Sequence, residues 1–176
     1  MMGLLSLLCG CEHRPSLVEQ RKAEIRRNDS LELVQALRDL AAADSVATFR
    51  ELDVKDLKEQ FVFEKQEKYQ TVGYYVLPGY QGDKSRFTFF PEVEESGKLL
   101  LVSIDKKRRY AFMEIDLDEE DYMAQLPANL TAAQRNDIHR CYALAKAMHD
   151  FDAAKKQQEK MLLKLHFYEE KMERTH

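Results

Sequence analysis

Hydrophobic and polar residues follow three different rhythms along this chain, and each rhythm predicts a different element. Ser16-Leu17-Val18-Glu19, directly after Pro15, has the form of a capping box and opens a helix. From there Leu17, Ile25, Leu31, Val34, Leu37 and Ala41 keep one loosely apolar stripe to about Asp44, with charges elsewhere. A continuous helix over this stretch would be about 45 Å long. The stripe is thin between Arg21 and Ser30, which predicts a stalk or weak coiled coil rather than a core helix. Asn28-Asp29-Ser30 is the place where a kink or restart is expected, because Asp29 with Glu32 makes a second cap-like pair. Residues 46–59 are mixed and read as a last helical stretch through Phe49 and Leu57.

The rhythm then shortens to two. Residues 61–122 hold 12 of the 17 aromatic residues, in runs at 61–65, 70–77, 86–94, 98–104 and 108–117. Pro78-Gly79, Gly82-Asp83, Ser96-Gly97 and Asp105-Lys106-Lys107 punctuate the later runs. Short connections between consecutive strands favour an antiparallel meander of four to five strands. Arg86-Phe87-Thr88-Phe89 alternates, as do Tyr110 and Phe112, so one face is expected to be buried. The unbroken apolar run from Leu99 to Val102 predicts the best covered strand.

A helical rhythm returns at Thr131-Ala132-Ala133-Gln134, a second capping box. Ile138, Cys141, Tyr142, Ala145, Met148 and Phe151 share one face, and Met161, Leu162, Leu165, Tyr168 and Met172 resume it after a polar patch. A helix to Arg174 would reach about 65 Å. That exceeds what a small sheet can cover, so part of it should pair with the first helix or with another chain. The predicted class is α+β: a long N-terminal helix, a small antiparallel meander and a long C-terminal helix packed back on both.

Composition adds little to this picture until the amino terminus is read separately. The 176 residues carry 27 basic and 31 acidic side chains, a net charge of −4 that gives no reason to expect nucleic-acid binding. No run approaches the roughly 18 to 20 apolar residues of a membrane-spanning helix. Residues 1–10, however, carry no charge at all and lead into Leu8-Cys9-Gly10-Cys11. A Leu three before a Cys, with a small residue just before it, resembles the lipobox of bacterial lipoproteins. The resemblance implies a signal peptide over 1–10, cleavage after Gly10 and acylation of the Cys11 thiol by palmitate-type chains. The basic n-region of such peptides is missing and the apolar core is short. The expectation is therefore that the true start lies upstream of Met1. Cleavage and acylation would leave Cys141 as a lone thiol, with no disulfide framework to form. At helical spacing from Ile138, Cys141 reads as a small core residue.

Phe61-Val62-Phe63-Glu64-Lys65, with Tyr69 and Gly73-Tyr74-Tyr75-Val76, resembles a phrase in a group of uncharacterised envelope lipoproteins of Gram-negative bacteria. There too it follows a lipobox and a coiled-coil-like helix. The resemblance implies an architecture and no activity. It divides the chain into a signal peptide (1–10), a helical stalk (11–59), a sheet region (60–122) and a C-terminal helix (123–176).

Few motifs compete for chemistry. The acidic run at 116–121 fails as an EF-hand, because Asp121 and Pro127 stand where Gly and a bidentate Glu belong, and reads as a solvated loop. Lys106-Lys107-Arg108-Arg109 reads as a turn, or as a contact to anionic lipid headgroups. Ser103 and Lys106 share the serine–lysine spacing of penicillin-interacting enzymes, but no partner motif follows. His13, His139, His149, His166 and His176 include no i, i+4 pair, so neither a metal site nor a cofactor is predicted. Tyr69, Tyr74, Tyr75 and Tyr80 are the candidate binding residues. On a strand Tyr74 and Tyr75 point to opposite faces, one to the core and one outward.

These readings converge on a non-enzymatic, lipid-anchored protein of the cell envelope with a structural or protein-interaction role. Its expected place is the outer membrane or the periplasmic face rather than the cytoplasm. Its expected partners are the membrane, through Cys11, and a protein or second copy, through the long helices, with no nucleic acid. The alternative is a small ligand- or glycan-binding module, or an enzyme, using the open face of the sheet.

Overall fold

The structure, a computed structural model, describes residues 16–65, 73–77, 86–89, 97–104 and 110–174. The fold is α+β: two long helices and a small antiparallel sheet. Helix α1 spans Leu17–Lys58 and helix α2 spans Ala132–Arg174, with strands β1 (Val62–Lys65), β2 (Gly73–Val76), β3 (Arg86–Phe89), β4 (Lys98–Ile104) and β5 (Tyr110–Asp116) between them. Neighbouring strands pair antiparallel in chain order. The ladders are unequal. β4 and β5 match along their whole length from Lys98↔Asp116 to Ile104↔Tyr110, whereas β2 and β3 meet only at Tyr75↔Phe89 and Val76↔Thr88. A short 3₁₀ helix, Tyr122–Gln125, leads towards α2.

Both helix starts form as their sequences dictate. The Ser16 side chain accepts the Glu19 N–H at 3.2 Å while Glu19 accepts the Ser16 N–H at 2.7 Å. Thr131 and Gln134 make the same reciprocal pair at 3.2 and 2.9 Å. Each box satisfies helix-end donors that otherwise lack a partner. α1 does not restart at 28–30. The Ser30 hydroxyl donates to the Arg26 carbonyl at 2.8 Å, inside the helix, and α1 runs unbroken past Asp44 to Lys58.

The main core sits where the base of the helices meets the sheet. Leu99, Leu101 and Ile115 from the sheet, and Ile138, Leu144 and Ala145 from α2, are wholly buried, with Val54 of α1 closing one side. Burying each large aliphatic side chain is worth about 1.5–3 kcal/mol. β4 is the well-covered strand its apolar run predicts. One cross-strand row, Phe63–Tyr75–Phe89–Leu101–Met113, holds buried Tyr75 and Leu101, and the adjacent row runs Val62–Val76–Thr88–Val102–Phe112.

Beyond the sheet α1 and α2 pack antiparallel on one another. Rising numbers on α1 meet falling numbers on α2 throughout: Asp29 with Lys171 (2.7 Å), Asp39 with Lys164 (2.9 Å), Asp44 with Gln158, Arg50 with Asp150 (4.0 Å) and Gln60 with Arg140 (3.3 Å). The α1 seam is Asp29, Leu33, Ala36, Leu40, Ala43, Ala47, Arg50 and Val54, spaced alternately four and three apart. That is the heptad spacing of a left-handed coiled coil. α2 answers with Gln158, Met161, Leu165, Tyr168 and Met172 at the same spacing. The apolar stripe read from the sequence is therefore a different one. Leu17, Ile25, Leu31, Val34 and Leu37 are all exposed, and Leu17 reaches 82%.

Asp29 is the buried charged residue of the seam. One carboxylate oxygen takes the Lys171 ammonium, while Oδ2 is buried with no hydrogen-bond partner. A carboxylate held this way costs desolvation that one ion pair does not fully return. Lys171 keeps Glu32 at 3.0 Å as a second partner. Asp29→Leu is therefore expected to leave stability unchanged or to raise it by up to about 2 kcal/mol in urea denaturation. A loss of more than about 1 kcal/mol would show that the carboxylate is a net stabiliser.

Candidate functional site along the helical hairpin

α1 carries two apolar stripes rather than one. Three central seam residues are each followed by a member of the second stripe: Leu33 by Val34, Ala36 by Leu37, Leu40 by Ala41. One residue is about 100° of rotation, so the second stripe lies on the adjoining quadrant of the helix. α2 closes the first stripe. Val34, Leu37 and Ala41 remain exposed, at 44% and 48% for the first two. Helices with two apolar stripes in adjoining quadrants are those that touch two neighbours, as in a bundle.

Grooves run along both flanks of the hairpin. Leu37, Ala41 and Asp44 of α1 with Glu159 and Leu162 of α2 enclose about 560 Å³ on one side. Ala42, Val46, Ala154, Gln157 and Met161 line about 510 Å³ on the other. The alanines are the cause: they let the helices come close but leave no side chains to fill the flanks. Lys164 bridges to Asp39 across the second groove. That ion pair, with Gln35 donating to Asp39 at 2.7 Å, holds the Asp39 carboxyl below the usual range.

A second polar cluster ties the acidic loop to α2. Lys146 reaches Asp150 at 3.0 Å and Asp118 at 3.7 Å, and His149 lies 3.8 Å from Asp118. Burial alone would lower the Lys146 pKa, but Asp150 and Asp118 reverse it, so the ammonium stays charged. Beside it Tyr122 stacks on Tyr142, with ring centroids 3.7 Å apart, and the Tyr122 hydroxyl bonds Nδ1 of His139. The Tyr142 hydroxyl donates to the carbonyls of Leu117 and Glu119, each at 3.4 Å. Burial raises both phenol pKa values, so neither ring is primed to lose its proton. Charged lysine and protonated phenols make this a brace that holds 117–122 against α2. Among the described residues no group of His, Cys, Asp and Glu is arranged to hold a metal ion.

The structure separates the residues singled out by sequence. Tyr75 is the inward member of its pair: it is 8% exposed, 5.0 Å from Phe63 and edge-on to Phe61, with the Lys58 ammonium over its ring. A ring packed in the core is not free to meet a ligand, so Tyr75 is corrected to a core residue. The backbone of Tyr74 pairs with Glu64. Its side chain, together with Tyr69, Tyr80, Cys11 and the basic turn at 106–109, lies outside the described residues. The Tyr122–His139–Tyr142 cluster was not foreseen, although His139 and Tyr142 stand three apart on one helix and so share a face. Val34, Leu37 and Ala41 of the outer stripe belong to the apolar pattern that predicts a stalk or weak coiled coil.

No protein-family model matches the chain, and no curated protein or solved structure is similar to it.

Cys141 is wholly buried in the core, and that burial, with the nearby Asp137 charge, pushes its thiol up to about 12. The raised pKa and the burial both work against the thiolate that alkylating reagents need. In the folded full chain the Cys141 peptide is expected to stay unlabelled by N-ethylmaleimide, and to label fully in urea, as read by peptide mass spectrometry. Ready labelling under native conditions would contradict a closed core at this helix.

Proposed function

We propose that the chain is a lipid-anchored protein of the cell envelope, at the outer membrane or the periplasmic face, with a structural or protein-binding role and no catalysis of its own. The observation that carries the interaction role is the uncovered stripe of Val34, Leu37 and Ala41 beside a seam that is already closed. Contiguous apolar surface on a rigid helix is the usual mark of a binding face. Leu8-Cys9-Gly10-Cys11 supports the anchor at Cys11. Two or three acyl chains at ~0.8 kcal/mol per buried CH₂ bind a membrane stably, where one is marginal. In this reading the sheet works as one meander of four to five strands that closes the base of the hairpin.

The face of the sheet that carries Phe112 supports a second reading, a ligand- or glycan-binding module or an enzyme, although Val102 in its middle is buried. Phe112 (69% exposed) and Val62 stand at the two ends of one cross-strand row. An exposed aromatic ring on such a face offers a stacking platform.

Cys11→Ala is expected to abolish lipid labelling and to move the chain out of the membrane fraction. Unchanged fractionation with no label on the native chain would sink the anchor. Cross-linking in intact cells is expected to join the chain to another polypeptide through α1. Recovery of the uncross-linked monomer alone would count against the interaction role, and loss of a bound glycan on Phe112→Ala would favour the second reading.

A further inference from the structure

The outer stripe of α1 is complementary to itself, and we propose that it is the dimerisation surface of this protein: two hairpins pack through α1 in antiparallel register, about a two-fold axis between Val34 and Leu37, to make a four-helix bundle. The proposal rests on the interaction role above and gives that role a partner, a second copy of this chain.

Three features of α1 carry it. The stripe keeps the seam's heptad spacing one residue further on, so a second helix can lie along it in the same way that α2 lies along the first. An axis between Val34 and Leu37 sets Val34 of one copy against Leu37 of the other and Ser30 against Ala41, so apolar or small side chains meet at every inner layer. At the next layer outward the same register sets Arg27 of one copy against Asp44 of the other, and the two-fold repeats this pair at the opposite end. Arg27 makes no ion pair among the described residues of its own chain, and Asp44 is bonded only by the Gln158 amide. Opposite charges therefore close both ends of an apolar centre. A parallel arrangement would instead set Arg27 against Arg27 and Asp44 against Asp44, which is repulsive at both ends. The groove of about 560 Å³ beside Leu37, Ala41 and Leu162 is where the second α1 would seat.

Sedimentation equilibrium of the full chain, with Cys9 and Cys11 changed to Ser so that thiol links cannot form, tests this directly. The expected result is a reversible monomer–dimer equilibrium. Arg27→Asp and Asp44→Arg are each expected to weaken it at least about tenfold, by placing like charges together. The double variant restores opposite charges and is expected to return to within a few-fold of the parent. Both Arg27 and Asp44 lie on the exposed surface, and circular dichroism checks that each variant keeps its helices. A chain that stays monomeric at every concentration overturns the proposal, as does a dimer indifferent to both reversals or not rescued by the double change. A monomer that still cross-links to a different polypeptide through α1 overturns the homodimer and leaves the interaction role standing.

Discussion

A seven-residue strand spans about 23 Å, and a helix of 43 residues about 65 Å. The lengths of β4 and α2 stand in that ratio, and most of the architecture follows from the mismatch. The sheet can cover only the first part of α2, from Ile138 to about Phe151, where Leu99, Leu101 and Ile115 meet it. Past that point α2 has only α1 to bury its apolar face, so the two helices run together to the free end of the hairpin. The spacing of α2 registers the change of partner. Met148 and Gln158 are ten residues apart, with Phe151 and Ala154 between them, so the heptad phase shifts where the sheet is left behind.

The distal seam is specific more than it is strong. Ala36, Ala43 and Ala47 allow close approach but bury little apolar area each, and Leu165 is the one large aliphatic of distal α2 that is buried. Polar rungs set the alignment instead: Asp29 and Glu32 with Lys171, then Asp39 with Lys164. Partly exposed ion pairs of this kind are each worth at most about 1 kcal/mol. A slip of one heptad towards the start of α2 would bring Lys164 to Asp29 but leave Asp39 without its ammonium, so the two rungs fix the register together. The paired rungs thus act against wrong registers, in the way polar residues at inner coiled-coil positions do.

These features explain what could be read from the chain and what could not. Both capping boxes, the covered strand at 98–104 and the Ile138–Cys141–Ala145 face were legible because each rests on local chemistry or on a single period. The α1 seam was not. Its alanines are weakly hydrophobic and its end residue is Asp29, so the pattern favoured the bulkier Leu31, Val34 and Leu37, which face outward. Two stripes about 100° apart blur into one loose stripe when only apolar residues are counted. Asn28-Asp29-Ser30 looked like a break because Asp29 suits a cap, but an ammonium from the other helix, far off in sequence, occupies it. Alternation likewise said that one of Tyr74 and Tyr75 is buried. Only the ladder that places Tyr75 in the row of Leu101 says which.

The antiparallel hairpin also fixes a direction. α1 begins at the free end and finishes against the sheet, so its 42 residues place the sheet about 63 Å from Leu17. With the lipid on Cys11 as proposed, the membrane lies at the free end, together with Asp29, Lys171 and the last turn of α2. The sheet, with the exposed Phe112, would then stand at the far end. The outer stripe lies between these two ends and would be the surface available to a neighbour anchored in the same membrane. An antiparallel pair of hairpins would put one sheet at each end of the bundle. Both anchors could then reach one membrane only if the bundle lay along it, or they would engage two facing membranes. With the anchor and the dimer both as proposed, the geometry of α1 would link self-association to orientation, and dimers and monomers would hold the sheet at different distances from the lipid.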